Sequence, residues 1–172
     1  MTTLRADAER NRGLVLEAAR AVFAEHGLEA GVAEVAERAG VGVGTIFRRF
    51  PTKEDLVAAL LEERVEEIAE LARNATSLRA FMTEATALHI GDRGFCECVG
   101  TDVFARADLR AGREEVRALV GALLRRAQRA GEVRGDITVD DLPVIILGVA
   151  RSAPPDGWRR YLEFALDGLK PQ

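Results

Sequence analysis

"VGVGTIFRRFPTKEDL" runs from Val41 to Leu56, and its reading decides the fold. Gly42 and Gly44 lie in a stretch otherwise patterned as a short helix, which continues through Phe47, Arg48 and Arg49 until Pro51 stops it. Thr52 and Asp55 then form a Thr-x-x-Asp capping box, which predicts a new helix from Thr52 onward. Upstream, "AEVAERAG" puts Val35, Ala36 and Ala39 on one helical face and ends at Gly40, a natural stop. A helix, a turn of about three residues and a second short helix make a helix-turn-helix, whose second helix can enter a major groove. From Arg38 to Lys53 the only charges are Arg38, Arg48, Arg49 and Lys53, with no Asp or Glu among them. Each glycine inside a helix costs roughly 1 kcal/mol relative to alanine. Close approach of the backbone to DNA offsets that cost, because glycine puts no side chain in the way. Val43 and Thr45 offer methyl groups to thymine, and Arg48 and Arg49 reach phosphates or a guanine edge. Lys53 lies beside the positive end of the new helix, where a phosphate can bind. A surface turn bearing solvated cations is the structural alternative.

The 172 residues carry a net charge of -4, so any DNA contact has to come from a local patch. That contrast matters because attraction between exposed charges is screened within about 10 Å at ordinary salt. Apolar residues at 48% and charged ones at 30% suit a globular chain that buries a real core. Cys96 and Cys98 are the only cysteines, too few for a disulfide scaffold, and their spacing disfavours a mutual bond. No apolar run approaches the roughly 18 residues of a membrane span. The opening "MTTLRADAERNRG" lacks the apolar core of a signal peptide, so a cytoplasmic setting is expected.

The remainder reads as an all-α chain. One helix covers "LRADAERNRGLVLEAARAVFAEH" and stops at Gly27. The helix from Thr52 turns Leu56, Leu60, Leu61, Val65, Ile68 and Ala72 inward. Its acidic side, from Glu62 to Glu70, would repel DNA and confine any contact to the N-terminal third. Further helices are predicted over "SLRAFMTEATALHIG", "CVGTDVFARA", "REEVRALVGALLRRAQRAG", "DLPVIILGVARSA" and "PDGWRRYLEFALDGL". "EVRGDITV" is the one stretch with an extended look.

Val35, Ala36, Ala39, Gly40, Val41, Gly44, Thr45, Phe50, Lys53 and Leu56 match in order the DNA-binding segment of the TetR family of transcriptional regulators, which this region resembles. "VLEAARAVFAEHG", Val15 to Gly27, is similar to the stretch that precedes it in that family. Four positions depart from the pattern. Gly42 stands for serine, Phe47 for tyrosine, Arg49 for histidine or tyrosine, and Gly31-Val32 lies where a threonine often opens the second helix. At Phe47 the ring packing is kept without the phenolic hydroxyl, and Arg49 offers charge in its place. The resemblance implies a three-helix DNA-binding domain over residues 1–51 and a helical ligand-binding and dimerisation domain over residues 52–172. It also implies a repressor released from a double-stranded operator by a small apolar effector, with no cofactor.

The C-terminal part has to supply the regulation. Phe81, Met82, Leu88 and His89, followed by Phe95, Cys96, Val103 and Phe104, combine aromatic, thioether and polar groups as an apolar pocket would. An ordinary helical core is the alternative for any one of them. His89 with Cys96 and Cys98 raises metal binding or thiol sensing, but the two cysteines point about 200° apart on a helix, and buried inert cysteine is the favoured reading. "LPVIILGVA" is apolar nearly all round, which favours a subunit contact through Val144, Ile145 and Leu147. Asp140 or Asp141 serves as its N-cap. Trp158, Tyr161, Leu162 and Ala165 extend that surface, so two helices from each of two subunits form a homodimer. The recognition helices would then stand about 34–36 Å apart on a near-palindromic site. Ligand would swing the helix from Thr52 and change that separation. Two other readings stand beside this one: a helical adaptor that has lost DNA binding, and an enzyme using a His-Cys pair, for which no third orienting group is placed.

Overall fold

The computed structural model describes residues 2–99 and 101–171, with side chains from Arg10 onward. Among the described residues all regular structure is helical. The α-helices are α1 (Thr2–His26), α2 (Val32–Ala39), α3 (Val43–Arg49), α4 (Lys53–Asn74), α5 (Leu78–His89), α6 (Arg93–Cys98), α7 (Arg110–Arg129), α8 (Asp141–Ser152) and α9 (Trp158–Gly168), with short 3-10 turns at Gly27–Glu29 and Ala107–Leu109. The chain folds into two compact units. One takes residues up to Glu63 together with Asp92–Leu109, and the other takes Arg64–Gly91 together with the chain from Arg110. The division thus falls inside α4 rather than at its start, and a later segment returns to the N-terminal unit.

In the first unit, Val15, Leu16, Ala19, Val22 and Phe23 form the buried stripe of α1. Their spacing of three and four residues is that of a helix with one face inward. α2 packs against it, and Val35 and Ala36 of α2, Ile46 of α3 and Leu56 of α4 are buried in the same unit. The turn between α2 and α3 is built from local bonds. Gly40 takes a left-handed conformation with φ 66°, its N–H donates to the Glu37 carbonyl, and the Val41 N–H donates to the Ala36 carbonyl. This is the paired closure that glycine permits after a helix. Gly42 follows in an extended conformation as the N-cap of α3, so only Gly44 lies inside that helix. The expected helix cost therefore applies once, since glycine at an N-cap forfeits only a few tenths of a kcal/mol. At α4, Asp55 accepts from both the N–H and the hydroxyl of Thr52, at 3.1 and 2.8 Å, while the Asp55 N–H donates to the Thr52 hydroxyl at 3.1 Å.

In the second unit, Phe81 and Met82 of α5, Leu123 and Leu124 of α7, Leu142 and Ile146 of α8, and Trp158, Leu162 and Leu166 of α9 make one continuous core. The start of α8 repeats the chemistry of α4. Asp141 accepts from the Thr138 N–H and hydroxyl, both at 2.7 Å, whereas the neighbouring Asp140 pairs with Arg117. The segment with the extended look forms no strand; its Arg134 and Ile137 carbonyls accept from the Gln128 side chain. The helix expected over "CVGTDVFARA" is also replaced. α6 opens with Asp92 as its cap and ends at Cys98, where the Thr101 hydroxyl donates to the Cys98 carbonyl at 2.6 Å. That side-chain bond satisfies a terminal carbonyl and competes with helix continuation. Three polar residues are buried in the second unit. Thr86 donates to the Met82 carbonyl at 2.7 Å, Arg64 donates to the Leu88 carbonyl at 3.0 Å, and His89 is 4% exposed.

Two outcomes follow from this packing. Leu162→Ala should lower unfolding free energy by about 2–5 kcal/mol in urea titration, because Leu162 is 1% exposed and its cavity cannot fully collapse. Burial, with Arg64 nearby, pushes the His89 imidazole from 6.5 down to about 3. Below pH 6.5 the unfolded chain binds a proton that the folded chain refuses. Its contribution is therefore full above the unfolded value and falls by up to about 1.4 kcal/mol per pH unit as pH drops through that window. Unfolding measured between about pH 7 and pH 5 should show this slope in the natural chain and lack it in His89→Gln.

Candidate nucleic-acid interface

A helix of seven residues is too short to stand by itself, so α3 is held by what it buries. Ile46 is 1% exposed and Phe50, just past the helix, is also buried. With that side fixed inward, the opposite side is set. Val43, Gly44, Phe47 and Arg48 fall on one outward stripe, and Val43 and Phe47 are 38% and 43% exposed. A Cβ placed on Gly44 would meet nothing within 4 Å, so the backbone there is open to a partner. Arg48 donates to the Thr45 hydroxyl oxygen at 3.0 Å, which aims the guanidinium along the helix and leaves the hydroxyl proton for another acceptor. Arg49 is exposed on the same last turn. No acid lies in α3 or in the turn before it.

The four expected cations part company. Arg38 pairs with Glu25 at 3.0 Å. Lys53 donates its ammonium to the Leu28 carbonyl and stands 5.7 Å from the centre of the Phe23 ring. Both are turned to their own protein, while Arg48 and Arg49 stand on the outward helix. Of the seven residues expected to touch DNA, Val43, Gly44, Phe47, Arg48 and Arg49 are therefore exposed together, Thr45 is half-buried beneath Arg48, and Lys53 is engaged elsewhere. Arg5, which the sequence would place in a minor-groove arm or a disordered tail, has its backbone in α1, and its side chain lies outside the described residues.

The residues expected to line an effector pocket divide four and four between the units. Phe81, Met82 and His89 are buried in the second unit, with Leu88 half-buried beside them. Phe95, Cys96, Val103 and Phe104 lie in the first unit, where the Phe95 and Phe104 rings meet edge to face at 6.5 Å. Burial, then Asp92 and Glu97, push the neighbouring Cys98 thiol up to about 11, so little reactive thiolate forms there at neutral pH. A cavity of about 490 Å³ in the second unit is lined by Leu78, Val133, Leu166 and Leu169 with Arg79 and Lys170 at its rim, and by none of those eight residues.

Among the residues expected at a subunit contact, Trp158 and Leu162 are buried in the chain's own core, because they share the inward stripe of α9 with Leu166 and Leu169. Val144 and Tyr161 are 72% and 49% exposed, and Ile145, Leu147 and Ala165 are half-buried. Phe164, 58% exposed, joins that surface and meets Tyr161 edge to face at 6.3 Å. Sequence pattern had left out several groups that tie the N-terminal unit together, namely Glu63, which accepts from Arg12 and Arg20, and Glu97 and Arg106. Their local partners do not mark this role, since the bonds that tie the unit together span more than forty residues.

Comparison with known proteins places this geometry. Residues 15–60 match the family model for bacterial regulatory proteins of the tetR family, and residues 73–171 match the C-terminal domain of SbtR-like transcriptional regulators. The HTH-type transcriptional repressor AcnR of Corynebacterium diphtheriae is 33% identical, over 90% of this chain and 76% of its own. The fatty acid metabolism regulator protein of Bacillus subtilis is 28% identical over 64% of this chain, which spans only 59% of that relative. A crystal structure of the TetR transcription regulatory protein from Mycobacterium vanbaalenii superposes with a TM-score of 0.66 at 36% identity, covering 98% of this chain and 99% of the other. With both its N-terminal and C-terminal portions matched, the chain belongs to the TetR family of bacterial transcriptional regulators.

Proposed function

We propose that this chain is a ligand-responsive transcriptional repressor that binds a double-stranded operator as a homodimer in the cytoplasm, and not an enzyme. The observation that carries the reading is the outer side of α3, where exposed Val43 and Phe47, open backbone at Gly44 and the Arg48–Thr45 pair stand together on a helix held by Ile46. Apolar groups beside guanidinium groups, with no acid among them, suit base edges and phosphates at once. A helical adaptor that had given up DNA would have no use for an exposed phenylalanine beside two arginines. Val144, Tyr161 and Phe164 support self-association through α8 and α9, being a cluster of large apolar side chains left exposed on the lone chain. Phe81, Met82, Leu88 and His89 are the groups from which an effector site for a small apolar molecule would be opened. Phe95, Cys96, Val103 and Phe104 are assigned to the same response. Ligand binding favours a second conformation with α4 displaced, and a differential affinity of a few kcal/mol between the two conformations empties the operator.

Arg48→Ala should weaken binding to the duplex that the natural chain selects from a random library by roughly tenfold and reduce the slope of log affinity against log salt by about one. Fluorescence anisotropy over a salt series measures both, and an unchanged affinity would remove α3 from the contact. Tyr161→Glu should raise the dimer dissociation constant roughly thirtyfold, read by sedimentation at a series of concentrations.

A further inference from the structure

We infer that Asp92–Leu109 is a clip that sets the pose of the DNA-reading helices, with Glu97 as its positioning residue; the regulatory sense of this rests on the repressor reading above. In sequence the segment joins α5 to α7, both of the second unit, yet it folds with the first. A connector needs only to span its ends. This one makes three specific attachments to the N-terminal helices.

At the centre is the Leu28 residue, in the turn between α1 and α2. Its N–H donates to Glu97 Oε2 at 2.8 Å, and its carbonyl accepts the Lys53 ammonium. Leu28 is thus gripped by α6 through its amide and by α4 through its carbonyl, each bond being charge-assisted. The Glu97 carboxylate cannot turn freely, because Arg93 Nε donates to its other oxygen at 2.6 Å. The fit is close on both sides. A Cβ on Gly27, which holds φ at +74°, would lie 2.6 Å from Glu97 Oε2, and a Cβ on Gly94 would lie 2.8 Å from the Phe23 Cβ and carbonyl oxygen. The third attachment is Arg106, which donates to Asp55 Oδ1 at 2.9 Å while Oδ2 of the same carboxylate caps α4.

These attachments bracket the reading helices, with Leu28 just ahead of α2 and Asp55 just after α3. α2 opens at Val32 and passes through the tight Gly40 turn to α3, so a displacement of Leu28 is carried to Val43, Phe47 and Arg48 with little slack. The clip's ends are continuous with Gly91, which follows α5, and with Arg110, which opens α7. A change in the spacing of those ends must therefore be absorbed by the clip or passed to Glu97. A signal from the second unit reaches α3 this way without any clip residue touching DNA.

Glu97→Leu and Glu97→Gln test the assignment as a matched pair. Both remove the same negative charge, but only glutamine keeps an oxygen for the Leu28 N–H. Amide hydrogen exchange on the full chain should show residues 28–49 opening roughly tenfold more in Glu97→Leu, with residues 110–171 unchanged, and most of the protection restored in Glu97→Gln. Affinity for the duplex that the natural chain selects from a random library should fall roughly tenfold in Glu97→Leu, with an unchanged salt slope because no phosphate contact is lost, and stay near the natural value in Glu97→Gln. Unaltered exchange in Glu97→Leu would overturn the clip, as would faster exchange at 28–49 with unaltered affinity. Should the natural chain select no duplex even at low salt, the DNA-binding reading fails, and the exchange comparison alone still decides whether Glu97 positions these helices.

Discussion

The structure turns on the burial of one side chain. α3 has two turns at most, and its backbone bonds cannot stabilise so short a helix in water. Ile46 supplies what they lack. Removing a side chain of that size from water contributes about 1.5–3 kcal/mol, and it does so at a single angle of rotation. Once Ile46 faces inward, Gly44 and Arg48 stand about 160° from it and Phe47 about 100°, so these three face outward, while Val43, about 60° away, is exposed because it opens the helix. The stripe of α1, the tight Gly40 closure and the capped start of α4 are the means by which a place for Ile46 is kept.

Electrostatics then decide how the outward face differs from the rest of an acidic chain. A count of cations over Arg38 to Lys53 overstates the patch, because pairing with Glu25 and the Leu28 carbonyl turns Arg38 and Lys53 to structural use. What remains on α3 is small in charge and mixed in character. That combination suits recognition better than bulk attraction. Phosphate contacts position a protein on DNA, whereas apolar and bidentate contacts to base edges read sequence. The neutralised arginines elsewhere have the same logic. Arg12 and Arg20 meet Glu63, and Arg73 meets Glu66, Glu70 and Glu115, so these three add little to any long-range field.

Features written in neighbouring residues were legible in the sequence. The Thr52–Asp55 cap, the Gly40 stop and the helical character of nearly every segment depend on bonds spanning three to five residues, and the pattern contains them. Gly42 was harder, because one residue separates an N-cap from a helix interior and glycine suits either. The outward surface of α8 and α9 was partly legible. Two apolar sides were evident, but which of them faced inward was fixed by Leu166 and Leu169, which draw Trp158 and Leu162 to the core. Asp92–Leu109 was the least legible. Its aromatic and sulfur-bearing residues suit a pocket, and nothing in them announces the unit the segment joins, which rests on Glu97 meeting Leu28 and Arg106 meeting Asp55 across gaps of 69 and 51 residues.

The division within α4 shows how such long-range bonds bear on regulation. The boundary lies between Glu63 and Arg64. Glu63 holds Arg12 and Arg20 of α1 within the first unit, and Arg64 holds the Leu88 carbonyl of α5 within the second. Consecutive residues on a helix point about 100° apart, so the two anchors can act in different directions without competing for space. The boundary lies within one uninterrupted helix of 22 residues, roughly 33 Å long. Allosteric coupling is commonly worth 1–3 kcal/mol, and a hydrogen bond to a charged group is worth about 1.5–3 kcal/mol. The scales agree, so a response of ordinary size needs no broad rearrangement. One bond at an anchor such as Arg64 or Glu97 is of that size.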